Sequence, residues 1–123
     1  MDRYCIKEPY ACNLTENGER IAQYTAPPNN AEYQYACYDL AKTLVRSRLL
    51  TSCIELGSGS GLKLNKYIKP YCRRTVGVDL PHSIERCRQM YPGIEWVVDD
   101  FDNSEPAIGE KFDLVLCFDV IEH

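Results

Sequence analysis

Nine consecutive residues, Cys53-Ile54-Glu55-Leu56-Gly57-Ser58-Gly59-Ser60-Gly61, restrict the fold more than any other part of the chain: an apolar run enters three alternate glycines directly. Glycines there allow a tight turn, let backbone N–H groups approach a ligand, and aim the following helix at it. This is the pattern of a nucleotide-type site at the carboxyl end of a first strand, although a glycine-rich turn alone can also be only a structural loop. A dinucleotide fingerprint reads G-x-G-x-x-G/A, whereas here position 62 is Leu62 and the third glycine falls one residue early, at Gly61. That spacing favours a ligand without a pyrophosphate.

The sequence around this run alternates. Ser52–Leu56, Thr75–Val78, Glu95–Val98 and Phe112–Phe118 read as strands, and Leu62–Cys72 and Pro81–Tyr91 as the helices between them, with Pro81 suited to a first helical turn. Strand–helix alternation at this spacing implies right-handed crossovers, a parallel sheet, and an α/β fold with helices packed on it. Upstream, Tyr33, Ala36, Cys37, Leu40, Ala41, Leu44 and Val45 give Ala31–Arg48 the period of an amphipathic helix, with Asn29-Asn30 as a capping pair. Residues 1–30 carry Pro9, Gly18, Pro27 and Pro28 and no sustained period, so they form an N-terminal arm to one domain, 31–123. Six of the nine tyrosines lie at or before Tyr38, either as a wall over a ligand or as the apolar side of arm and helix.

Two strand ends carry acid. Val76-Gly77-Val78-Asp79 places a carboxylate 22 residues after Gly57, where it can accept bonds from both hydroxyls of a ribose or instead cap the helix that starts at Pro81. Asp99-Asp100, followed by Phe101, ends the third strand. A carboxylate there can accept from an exocyclic adenine amine while an apolar neighbour packs on the ring; loop solvation is the alternative.

Taken together, Glu55-x-Gly57-x-Gly59-x-Gly61, Asp79, Asp100 and the stretch Phe112–Cys117, Asp119–His123 resemble, in order, the motifs of class I S-adenosylmethionine-dependent methyltransferases. The resemblance runs from Ser52 to the last residue. It implies a three-layer Rossmann-like sheet of strand order 3-2-1-4 and a methyltransferase with S-adenosyl-L-methionine as cofactor. Gly57, Gly59 and Gly61 would then pass under the methionine end, Glu55 would steady that loop, Asp79 would hold the ribose, Asp100 the adenine amine and the Phe101 backbone the ring edge. Ser58 and Leu80 join them as cofactor-binding positions. Gln23-Tyr24-Thr25 and the following helix resemble the leaders of methyltransferases of glycan modification, which implies a small-molecule or glycan-type acceptor. The family sheet has seven strands and this sequence reaches only the fourth, so the substrate half is expected to be absent; a cofactor-binding module or fragment without turnover is the alternative. A nicotinamide oxidoreductase is disfavoured by the glycine spacing.

The closing Asp119-Val120-Ile121-Glu122-His123 puts two carboxylates and an imidazole on one helical face. It resembles a divalent-metal element of some methyltransferases, but the same residues serve elsewhere as a pocket rim or general base, and the latter reading assigns Asp119 and His123 as catalytic candidates with no metal.

Composition excludes other classes. Net charge is −4, and Glu95–His123 holds nine acidic residues against Lys111 alone, which argues against a nucleic-acid face there. Lys63, Lys66, Lys69 and Arg73 recur at helical spacing as a solvated face. Seven cysteines, an odd set without a C-x-x-C pair, read as small reduced hydrophobes rather than a disulfide or zinc framework. The Met1–Glu8 start lacks the order of a signal peptide and no apolar run is long enough to span a bilayer, so a cytoplasmic protein without membrane contact is expected. Finally, Phe112–Phe118 reads as a strand buried on both faces, and the strand order that the resemblance implies leaves it at a sheet edge, from which a homodimer formed through it is expected.

Overall fold

The computed structural model describes residues 34–100 and 108–118 of the 123. The arm at 1–30, the Asn29-Asn30 cap, Phe101, Asp119, Glu122 and His123 lie outside the described residues. Four strands, β1 (Ser52–Leu56), β2 (Arg74–Asp79), β3 (Glu95–Val98) and β4 (Leu114–Leu116), form one parallel sheet of order β3-β2-β1-β4. The expected α/β Rossmann-like order is therefore the observed one. The register sets Leu56 beside Val78, Asp79 beside Val98 and Glu55 beside Leu116, so every strand ends at the same edge.

The apolar, partly β-branched strands suit burial. In β2 every residue from Thr75 to Asp79 is buried. On one face Cys53, Trp96 and Leu116 join a core with Tyr38, Ala41 and Val45 of helix α1 (Tyr35–Ser47), Leu64 and Ile68 of a short helical segment, and Ile84 and Cys87 of helix α2 (Pro81–Met90). Cys53, Cys72 and Cys87 pack there as small hydrophobes, and burial pushes the Cys53 and Cys72 thiols up. On the other face Ile54, Val76 and Val78 meet Ile108 and Phe112.

Three elements differ from the sequence expectation by more than one residue at an end. Helix α1 begins at Tyr35 rather than Ala31, because Gln34 adopts a left-handed backbone (φ 60°, ψ 18°) while its carbonyl accepts from Cys37 N–H at 3.0 Å. The helix expected over Leu62–Cys72 is helical only from Leu62 to Ile68, and Leu64–Ile68 is a wide, π-type turn of helix in which Lys69 N–H donates to Leu64 O at 3.0 Å, five residues back. Pro70 has no N–H to continue a regular helix, and Tyr71 and Cys72 instead close on Ile68 O at 2.9 and 3.1 Å. Strand β4 spans only Leu114–Leu116. Before it, Asp113 turns its carboxylate onto Thr51 N–H (2.8 Å), Thr51 hydroxyl (3.0 Å) and Ser52 N–H (3.1 Å). After it, Phe118 packs edge-on against Tyr38, ring centres 5.0 Å apart. Nor is β4 buried on both faces: Leu116 is 4% exposed and Val115 is 55% exposed.

Candidate functional site

The shared strand register gathers Glu55 through Gly61, Asp79 with Leu80, and Asp99 with Asp100 at the carboxyl edge of the sheet. Gly57, Gly59 and Gly61 all take positive φ (74°, 57° and 74°), a conformation that side-chain-bearing residues resist, which is why the turn alternates glycine.

Four of the turn's amides are bonded, three of them to β2. Gly57 and Ser58 N–H both donate to Val78 O, at 2.8 and 3.0 Å, and Gly61 N–H to Ser58 O at 3.0 Å. Gly59 N–H donates to one carboxylate oxygen of Asp79 at 2.6 Å, and Leu80 N–H to the other at 2.7 Å. Gly57, Ser58 and Gly59 N–H thus fasten the turn to β2. Asp79, buried at the end of β2, is the clamp, and among the described residues no side chain caps α2, whose N-cap is the extended Leu80. The helix-cap reading of Asp79 is replaced by this clamp.

Glu55 is 1% exposed and accepts a hydrogen bond from the Tyr38 hydroxyl through Oε1, while Oε2 has no hydrogen-bond partner among the described residues. Burial pushes its pKa up to about 8; the Tyr38 bond and the Lys63 charge pull it down, and the nearby Asp79 charge pushes it up. Tyr38 in turn is raised by its own burial and by the charge of Glu55. Lys63 departs from a solvated face: its Nζ donates to Gln34 Oε1 at 3.1 Å and lies 5.3 Å from the centre of the Tyr38 ring. Tyr35 and Tyr67 stack edge-on beside them at 5.7 Å.

At the third strand end, Asp99 N–H donates to Asp79 O at 3.2 Å, extending the ladder, and Asp100 is exposed. Sequence reasoning brought Glu55, Gly57, Ser58, Gly59, Gly61, Asp79, Leu80 and Asp100 to one edge, and it missed Tyr38, Lys63 and Trp96. Gly77 was the available signal for Trp96, since a glycine inside a strand marks close approach by another group. Among the described residues no cluster of three or more His, Cys, Asp or Glu side chains is placed to hold a metal ion, and no helix is long and apolar enough to cross a membrane.

Residues 54–123 match a family described as methyltransferase domain. Over 71 residues the chain is 38% identical to a caffeic acid 3-O-methyltransferase of Prunus dulcis, covering 57% of this chain and 19% of that protein. The figures for a flavonoid 3'-O-methyltransferase of Chrysosplenium americanum are 38%, 57% and 20%. The chain thus spans about a fifth of the length of these curated relatives. Among solved structures, an amino pentose methyltransferase of Micromonospora echinaspora with bound SAM superposes with a TM-score of 0.57 at 20% identity, over 70% of this chain and 36% of that one. The N-methyltransferase NodS of Bradyrhizobium japonicum in complex with S-adenosyl-L-homocysteine gives 0.54 at 21% identity, over 76% and 52%. These two likenesses establish the fold.

Proposed function

The chain belongs to the methyltransferase-domain family, as a class I S-adenosylmethionine-dependent member with a Rossmann-like fold, and on that premise we propose that it binds S-adenosyl-L-methionine at the glycine turn and serves methyl transfer to a small-molecule or glycan-type acceptor. The observation that carries this reading is the buried, unpartnered Glu55 Oε2 beside a turn whose Gly57, Ser58, Gly59 and Gly61 amides are already bonded. An orphaned acceptor next to a second buried carboxylate suits a cationic ammonium group and repels a pyrophosphate, which would need free N–H donors. The residues present therefore fit the amino-acid end of this cofactor and do not suit a dinucleotide.

S-adenosylmethionine supplies an electrophilic methyl on a sulfonium for in-line attack by an acceptor oxygen, nitrogen or carbon. The protein's part is positioning and exclusion of water. Glu55 would take the ammonium, Gly57, Ser58, Gly59 and Gly61 would carry the methionine end, Asp79 would accept from the ribose hydroxyls with Leu80 beside it, and Asp100 with the Phe101 backbone would take the adenine. Asp119 and His123 are the bases proposed to receive the acceptor's proton. The domain comprises 31–123 after an arm at 1–30, acts in the cytoplasm, makes no nucleic-acid contact, and pairs as a homodimer through β4, whose Val115 is exposed at the sheet edge.

Calorimetry with S-adenosylmethionine, S-adenosylhomocysteine and NAD tests the cofactor assignment. The first two should bind and NAD should not, and Asp79→Ala should weaken binding by roughly 1.5–3 kcal/mol, the scale of hydrogen bonds to a charged group. NAD binding with silence from the other two would overturn the assignment.

A further inference from the structure

Beneath the glycine turn lies a side chain that the functional reading leaves unused. Trp96 is the sole tryptophan of the chain and is 6% exposed in β3. Its indole Nε1 donates to Tyr91 O at 2.9 Å, which fixes the ring from the α2–β3 connection, and the Arg88 guanidinium donates to its carbonyl at 3.1 Å. The six-membered edge of the ring is held between two glycines. A Cβ on Gly61 would stand 2.6 Å from Cη2, and one on Gly77 would stand 2.1 Å from Cζ3 and 2.5 Å from Cε3. Both distances are far inside van der Waals contact, so bare backbone at 61 and at 77 matches this ring. Gly61 also has a φ of +74°; for Gly77 the indole is the reason that position is glycine. Cys87 closes the same space from α2, its Sγ donating to Gly59 O at 3.4 Å.

The turn is thus tied to β2 by hydrogen bonds and supported from the helix side by one rigid ring. Close-packed interiors transmit small shifts instead of absorbing them, and a ligand held by several groups at once responds to displacements well under an ångström. We propose that Trp96 is a positioning residue for the cofactor: its indole sets the height of the Gly59–Gly61 turn above the sheet and thereby the affinity for the methionine end. Trp96 touches no reacting atom and acts through the turn. The proposal rests on the methyltransferase reading.

The test compares S-adenosylhomocysteine binding by calorimetry in the wild-type chain, Trp96→Phe, Gly77→Ala and the double variant, with thermal melts run alongside. Trp96→Phe withdraws the ring atoms nearest Gly61, and Gly77→Ala drives a methyl into the ring and so pushes it against the turn. Each single variant should lose tenfold or more in affinity. In the double variant the added methyl enters the vacated space, so it should bind more tightly than either single variant, a non-additivity that simple loss of stability does not produce. Where transfer is followed, KM for S-adenosylmethionine should rise while kcat stays within twofold. Folded single variants that bind within twofold of wild type would overturn the proposal alone, and Trp96→Phe decides this by itself if Gly77→Ala does not fold. A wild-type chain that ignores S-adenosylhomocysteine removes the methyltransferase reading and this proposal with it.

Discussion

Burial of Glu55 has an energetic sign that can be worked out. Its carboxyl is raised from an ordinary 4.5 to about 8, so between those pH values the folded chain holds a proton that the unfolded chain has released. The group's contribution to stability is fully present below the unfolded value and is lost as pH rises through about 8. Glu55→Gln should abolish that fall and exceed the wild type in stability at alkaline pH, by up to about 4 kcal/mol, in urea unfolding compared at about pH 6 and about pH 9. Parallel pH profiles for the two proteins would contradict the assignment. An ammonium ligand requires the ionised form, so binding near neutrality should also release a proton, seen as a binding heat that depends on the buffer. The position of Glu55 ahead of the glycines was legible in the sequence. Its partner was not, because Tyr38 lies 17 residues earlier on a helix, and only the packing of that helix on the sheet brings the hydroxyl to the carboxylate.

At the level of elements, the strand centres were legible because their apolar, β-branched content leaves few alternatives, and the boundaries were not, because distant side chains set them. Asp113 sets the start of β4 by bonding to Thr51 and Ser52, residues about sixty positions earlier in the chain. The stretch read as helix ran through Pro70 to Cys72, whereas the missing Pro70 N–H ends the helical hydrogen bonds before it, and Leu64 and Ile68 both reach the core at 0% exposure. Ile68→Ala should therefore cost about 2–5 kcal/mol in denaturant unfolding, the range for a buried large-to-small change. A loss below about 1 kcal/mol would show that this turn collapses around the gap and contributes little to the core. The Trp96 cradle was half legible: Gly77 announced a close neighbour without naming it.

For the molecule as a whole, the sheet order leaves β4 at an edge, with Leu116 facing the core and Val115 facing outward at 55% exposed. Pairing with a second copy would satisfy the edge backbone and cover Val115. Light scattering at micromolar concentration should report a dimer, and Val115→Lys should dissociate it while leaving the fold intact, since Leu116 and the core behind it are untouched. A monomer in the wild type, or an undiminished dimer in the variant, would place no interface there. The most direct test of the account is a map of amide resonances in the ¹⁵N-labelled chain as S-adenosylhomocysteine is added. The largest shifts should fall on Gly57 through Gly61, Asp79 and Leu80, with smaller ones at Asp99 and Asp100, and NAD should leave them in place. Shifts concentrated away from the carboxyl edge of the sheet, or none at saturating ligand, would contradict it.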